Sequence, residues 1–196
     1  PGKTDPALLS SLLPPILSQG RWALQSAVTA ENGHPFFDET NRRMIVLNGQ
    51  FNTDVENQIL AFLNGVAKIT PRTENSSEYY ALLWGYYYDR LQQEKKRYDS
   101  IRTQVEEDLE SYDIGSQSVD YKIFHKVRGK SEKEIDQLAF IETSRQLIRG
   151  GGQIAVAGAS LTSASSIFLI CHNRPVFIAQ NLQNGDIMVV SDINAA

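Results

Sequence analysis

The chain has 196 residues, of which 41% are hydrophobic and 21% charged, which suits one globular domain, residues 1–196, with a substantial core. A formal net charge of −4 without any concentrated lysine and arginine cluster argues against a nucleic-acid partner. No apolar stretch approaches membrane-span length and no signal-peptide pattern opens the chain, so we expect a cytoplasmic protein without a membrane partner.

The first fifty residues predict a short helix and two strands. An apolar stretch from Ala7 to Leu13 ends at Pro14-Pro15 and predicts a brief helix, and residues 5–13 could cover a sheet edge. Segments 16–23 and 43–47 have the composition of strands, separated by turn residues. A capping box at Thr53 and Glu56 then predicts a helix that ends at Gly65.

Two longer helices follow. Apolar residues at spacings of three, four and seven predict a helix over 76–110, capped by Asn75 with Glu78. A second helix over 131–149 opens with a Ser131–Glu134 capping box. A helix of 34 residues spans about 50 Å. We therefore expect its outer half to pack antiparallel on the second helix, leaving Tyr86 and Tyr88 uncovered.

That uncovered stripe, residues 86–109, predicts a homodimer or a surface for a partner protein. A self-contained hairpin in a monomer is the alternative. Beyond the hairpin the sequence predicts three strands, at 166–171, 175–179 and 186–190.

Cys171 is the sole cysteine, so an internal disulfide is excluded. It lies in an apolar strand beside His172, and neighbours along a strand face opposite sides. We therefore predict a buried, inert thiol in place of a Cys–His dyad. Three scattered histidines and one cysteine do not make a metal site, and we predict neither a metal nor another cofactor.

Three short motifs stand out in the first quarter of the chain. They are Arg21-Trp22-Ala23, then Asn32 with His34-Pro35, then an apolar run that stops at Asn48-Gly49. An Asn-Gly pair favours positive φ and leaves backbone N–H groups free to face a ligand. Taken singly, each has an ordinary interpretation: a turn for Asn48-Gly49, a surface arginine for Arg21 and a core aromatic for Trp22.

Together, their order and spacing resemble class II glutamine amidotransferases, whose pattern reads R-W-A-T-H-G, N-x-H-P and H-N-G-x-I-x-N. The glutaminase domain of glutamine–fructose-6-phosphate aminotransferase is the most similar form. The resemblance covers residues 16–90 and 160–192. It implies an α+β fold: a partial or remodelled αββα four-layer sandwich of antiparallel sheets, in which 76–150 includes an inserted long helical hairpin.

The resemblance also implies a chemistry, hydrolysis of glutamine to supply ammonia to a partner domain. Asn48 and Gly49 match the family's oxyanion hole, made from the Asn side chain and the Gly backbone N–H. Arg21 matches the residue that holds the substrate's α-carboxylate, and Trp22 matches part of the pocket cover.

Several family residues are missing. The family's nucleophile is an N-terminal cysteine, whereas this chain begins Pro1-Gly2-Lys3. Leu24 and Gln25 replace a threonine and a histidine of the pocket, and Ser76 replaces the aspartate that pairs with the substrate's ammonium group. We therefore expect no catalysis by this chain and only weak binding of glutamine or glutamate.

Three explanations remain open: a degenerate domain, an active domain whose nucleophile segment is not in this chain, or a non-catalytic structural or partner-binding module that uses the long helical insertion.

Overall fold

The computed structural model describes residues 29, 31–107, 126–180, 182–183 and 187–190. Its helices are α1 (Thr53–Phe62), α2 (Ser76–Glu107) and α3 (Glu132–Ile148), and a π-helical turn, Leu63–Ala67, continues α1. Its strands are β1 (Phe36–Phe37), β2 (Arg43–Phe51), β3 (Gly152–Ser160), β4 (Ile167–His172), β5 (Phe177–Gln180) and β6 (Ile187–Val190).

Four strands form one antiparallel sheet in the order β1-β2-β3-β4. The longest pairing joins β2 to β3, from Arg43 opposite Ser160 to Phe51 opposite Gly152. The last two strands, β5 and β6, pair with each other in a separate antiparallel sheet. The predicted combination of α-helices with antiparallel β-sheets is therefore confirmed.

The central strand β3 was not predicted. Its residues alternate between branched apolar side chains and small ones, among them Ala155, Ala157 and Ala159. The small residues hide the period-two pattern, because alanine is common in every kind of secondary structure. The predicted strand at 43–47 is also too short, since β2 continues through Asn48 and Gly49 to Phe51.

One face of the four-stranded sheet carries the core. Ile45 and Leu47 of β2 are buried on it beneath α2 and α3. Trp84 of α2 lies at the centre, fully buried, with its ring 5.0 Å from Phe140 and 5.1 Å from Phe168 between centroids. Its indole N–H donates to the carbonyl of Asp136 at 3.2 Å. Aromatic packing at this point joins both long helices to the sheet.

The two long helices do pack antiparallel, but along a different part of α2 from the predicted one. The hydroxyl groups of Tyr80 and Ser144 lie 2.6 Å apart, and Trp84 contacts Phe140 one turn further along α2. The first half of α2 therefore meets α3, because that half bears the continuous apolar stripe. None of residues 92–100 is buried, and Leu91 is the last buried residue in the part of α2 whose side chains are described.

The prediction that Tyr88 is uncovered is wrong. Tyr88 is buried, and the guanidinium carbon of Arg43 lies 3.5 Å from its ring centroid. Tyr86 is half-buried and packs edge-on against Phe62.

The side chain of Arg43 lies in a buried ionic cluster. Its Nε donates to Asp136 of α3 at 2.8 Å and its Nη1 to Asp38 at 3.2 Å, and all three side chains are almost fully buried. One cation thus joins β2, α3 and the turn that precedes β2. Burial of such a cluster is tolerable only because the opposite charges remain in contact.

The predicted helix caps are confirmed in part. The Ser131–Glu134 capping box of α3 is confirmed. For α1 the capping side chain is Asn52, one residue before the predicted Thr53, and it accepts from the N–H of Asp54. For α2, Asn75 caps as expected by accepting from Ser77, whereas Glu78 turns away to the preceding loop.

Candidate functional site

Gly49 lies inside a strand and not in a turn. Its φ is +131°, and a Cβ at this position would fall 1.8 Å from the carbonyl oxygen of Gln153 in β3. Only glycine fits such a close approach of two backbones. The glycine of the Asn-Gly pair is therefore required by the pairing of β2 with β3.

The side chain of Asn48 lies on the second face of the sheet, the face directed away from α2 and α3. In the register, Asn48 is opposite Ala155, and Ala155 is opposite Cys171. Paired residues of neighbouring strands share a face, so these three side chains form a row across β2, β3 and β4. Two strand spacings separate Asn48 from Cys171, about 10 Å between their Cα atoms.

Cys171 is exposed, so the predicted buried thiol is wrong. The apolar composition of β4 predicts cover on both faces, whereas only the face that carries Phe168 and Ile170 packs against the core. The separation of Cys171 from His172 onto opposite faces follows from strand geometry, as expected.

Residues 73–78, which the sequence predicts to match the ammonium-binding motif of the resembling family, run from the loop before α2 into its first turn. Glu78 is buried and accepts hydrogen bonds from the N–H groups of Arg72 at 3.0 Å and Thr73 at 2.7 Å, and from the Thr73 hydroxyl. The carboxylate thereby fixes the loop before the helix. Ser76, in the place of the family's aspartate, is the first residue of α2.

This segment has one polar group without a partner. The Nδ2 of Asn75 is buried and makes no hydrogen bond, while the Oδ1 of the same side chain accepts from Ser77. A buried amide donor without an acceptor is unfavourable unless another group supplies one.

Carboxylates surround the first turn of α2. Burial, followed by the nearby carboxylates of Glu56, Glu74 and Glu78, raises the pKa of Tyr79, which lies in the first turn of α2. Arg72 lies 3.7 Å from Glu78 and balances its charge, so Glu56 and Glu74 are the carboxylates that favour a cation here.

The Asn48–Gly49 pair and the first turn of α2 lie at the same end of the sheet. Tyr88 lies over Arg43, and Trp84 lies against Gly158, which pairs with Ile45. Helix α2 therefore runs antiparallel to β2. Going back from Trp84 to Ser76 covers about 12 Å of helix, and going on from Ile45 to Gly49 covers about 13 Å of strand.

The remaining predicted site residues, Arg21 and Trp22, lie outside the described residues, and so do Leu24, Gln25 and the elements predicted at 5–13 and 16–23. Within the part of the chain that the structure describes, no three His, Cys, Asp or Glu side chains come together as metal ligands. Among the described helices, none is both long and apolar enough to cross a bilayer.

Comparison with protein-family models and with curated proteins finds no match to this chain.

Proposed function

We propose that the chain is a glutamine amidotransferase-like domain of the glutaminase type, a class that supplies ammonia to a partner domain, and that this chain binds glutamine weakly without hydrolysing it. The observation that carries the proposal is that two motifs lie at the same end of the sheet, with the Asn48 side chain on the face directed away from α2. Asn48–Gly49 and the 73–78 segment are far apart in sequence, and the resemblance requires them to share one pocket.

The proposal extends to the layers of the fold. On the second face, exposed Ile167 and Leu169 flank the alanines of β3. The β5–β6 sheet is apolar on both sides, with Ile178 67% and Ile187 64% exposed on one of them. Sheets with two apolar faces are normally covered on both. We place this second sheet in the αββα sandwich that the resemblance implies.

The proposed lack of catalysis rests on distance. A thiolate must reach the substrate's carbonyl carbon while the oxyanion donors lie about 3 Å from its oxygen. The sole cysteine, Cys171, is about 10 Å from Asn48 between Cα atoms. It is therefore too remote to replace the family's nucleophile. A degenerate domain and a domain whose nucleophile lies on another segment both fit this geometry.

The test combines binding and turnover in one sample. Titration of glutamine into labelled protein should shift the Gly49 amide resonance with a Kd on the order of 1 mM, because charge-assisted hydrogen bonds are the main attraction. Arg21→Ala should abolish the shift, and no ammonia should be released. An unshifted spectrum at about 50 mM glutamine, far above that Kd, would end the binding proposal. Ammonia release that Cys171→Ala abolishes would overturn the argument from distance.

One observation favours a second function, a partner-binding module without catalysis. Helix α2 continues for about 24 Å beyond Leu91, its last buried residue in the described side chains. A long helix that extends past its own core can present the part of the predicted 86–109 surface that follows Leu91 to a second copy or another protein.

A further inference from the structure

A cavity of about 460 Å³ lies beside α2, at the opposite end of β2 from Gly49. Its walls are one stripe of α2, the turn at 38–40 and the end of the π-helical turn. The volume is within the range of small-molecule sites. The cavity is separate from the proposed glutamine pocket, and nothing in the proposed function uses it.

The lining combines apolar and acidic residues. Ala67, Ile69, Leu82 and the ring of Tyr86 are its apolar side. The charged residues of the lining are four carboxylates and one cation: Asp38, Glu39, Asp89, Glu94 and Arg90.

The four carboxylates are not equivalent. Asp38 is already satisfied: one oxygen accepts from the N–H groups of Arg42 and Arg43, and the other accepts from the Thr40 hydroxyl and the Arg43 guanidinium. Its role is to hold the turn. Gly85 makes room for it, since a Cβ there would lie 2.9 Å from the Cβ of Asp38.

Glu94 has an unused acceptor. Its Oε2 is buried and has no hydrogen-bond partner. Partial burial raises the pKa of Asp89, five residues earlier on α2. A carboxylate oxygen removed from water without a donor is costly, and a cation bound beside it would offset that cost.

We propose that this cavity binds a small organic ammonium ion, whose nitrogen donates to Glu94 and whose methylene chain lies on Leu82 and Ile69. The apolar side requires a ligand with a hydrocarbon part, which an inorganic cation lacks. The described residues also hold no three-ligand metal cluster. The negative balance of the lining favours a cation over a neutral molecule of equal length.

The probe is 1,4-diaminobutane, titrated at pH 7 and followed by amide shifts of α2. We expect saturable binding with a Kd on the order of 1 mM. Glu94→Gln keeps the shape of the side chain and removes its charge, and it should weaken binding about tenfold or more. Asp99→Asn is the matched control, because Asp99 is an exposed carboxylate on the same helix outside the cavity lining. It should leave the affinity unchanged.

Four results would overturn the proposal. The first is binding that does not saturate by about 10 mM probe, well above the expected Kd. The second is a Glu94→Gln protein that binds the probe as tightly as the wild type, and the third is an Asp99→Asn control that is weakened as much as Glu94→Gln. The fourth is uncharged 1,4-butanediol that binds as tightly as the diamine. The third would indicate diffuse attraction to the acidic surface, and the fourth would remove the charge argument. Both variants should keep the wild-type unfolding midpoint, which shows that a change in affinity is not a loss of fold.

Discussion

Two single residues, Gly49 and Arg43, fix the place of β2 in the sheet. The backbone carbonyl of Gln153 in β3 leaves no room for a side chain at Gly49. The sequence pattern places Arg43 in a strand and indicates no carboxylate partner for its guanidinium group. A clue to its burial was present, because Asp136 falls in phase with the buried Phe140, Thr143 and Leu147 of α3.

The constraint on Gly49 gives a stability prediction. Gly49→Ala should lower the free energy of unfolding by about 3 kcal/mol or more, because the new Cβ meets backbone that no side-chain rotation can move and φ is unfavourable for alanine. Urea unfolding measures the change. Gly65→Ala is the control, since a Cβ there meets nothing within 4 Å in a helical turn. It should be neutral or stabilising by about 0.5–1 kcal/mol. Equal effects of the two substitutions would contradict this account.

At the scale of elements, the helices were the predictable part. Period-three-and-four spacing and the Ser131 cap placed α3 within one residue at each end and located the start of α2. The contact surface between the helices was not predictable, since apolar spacing gives a face and not the depth to which each turn is covered. The same limit hid β3, whose alanines carry too little apolar area to mark a strand.

The outer part of α2 decides whether the chain associates. We predict that sedimentation equilibrium shows a homodimer at high micromolar concentration, because the helix continues well past Leu91. Ile101→Asp with Val105→Asp should return the protein to a monomer by placing charges on the stripe. Lys96→Asp, on an exposed position of the same helix, is the control and should remain dimeric. A wild type that is monomeric at this concentration would remove the homodimer.

At the scale of the whole molecule, the packing of α2 on α3 predicts a loss of stability at alkaline pH. Burial raises the pKa of Tyr80 well above its ordinary value of 10.0, with the Ser144 hydroxyl opposing it in part. Folding therefore favours the neutral phenol. This contribution is complete below pH 10 and is lost as the pH rises from there towards the folded pKa.

Tyr80→Phe tests the alkaline effect. Between pH 10 and pH 11 the variant should lose about 1 kcal/mol less of its free energy of unfolding than the wild type, because one titrating group has been removed. Burial also raises the pKa values of Tyr79 and Tyr87, so some pH dependence should persist. Parallel stability curves for the two proteins would show that Tyr80 ionises normally.

The pairing of β2 with β3 also sets an order of events during synthesis. About a hundred residues separate strands that pair along their full length. Closing so long a loop is slow, whereas helices form from local contacts within the emerging chain. Of the described strands, a nascent chain that stops before residue 152 holds β2 with only the two-residue β1 at its side. Its apolar edge then resembles the surfaces that chaperones cover. Shortening this domain from its C-terminal side therefore removes from the four-stranded sheet the edge strand β4 first and then β3, the long partner of β2.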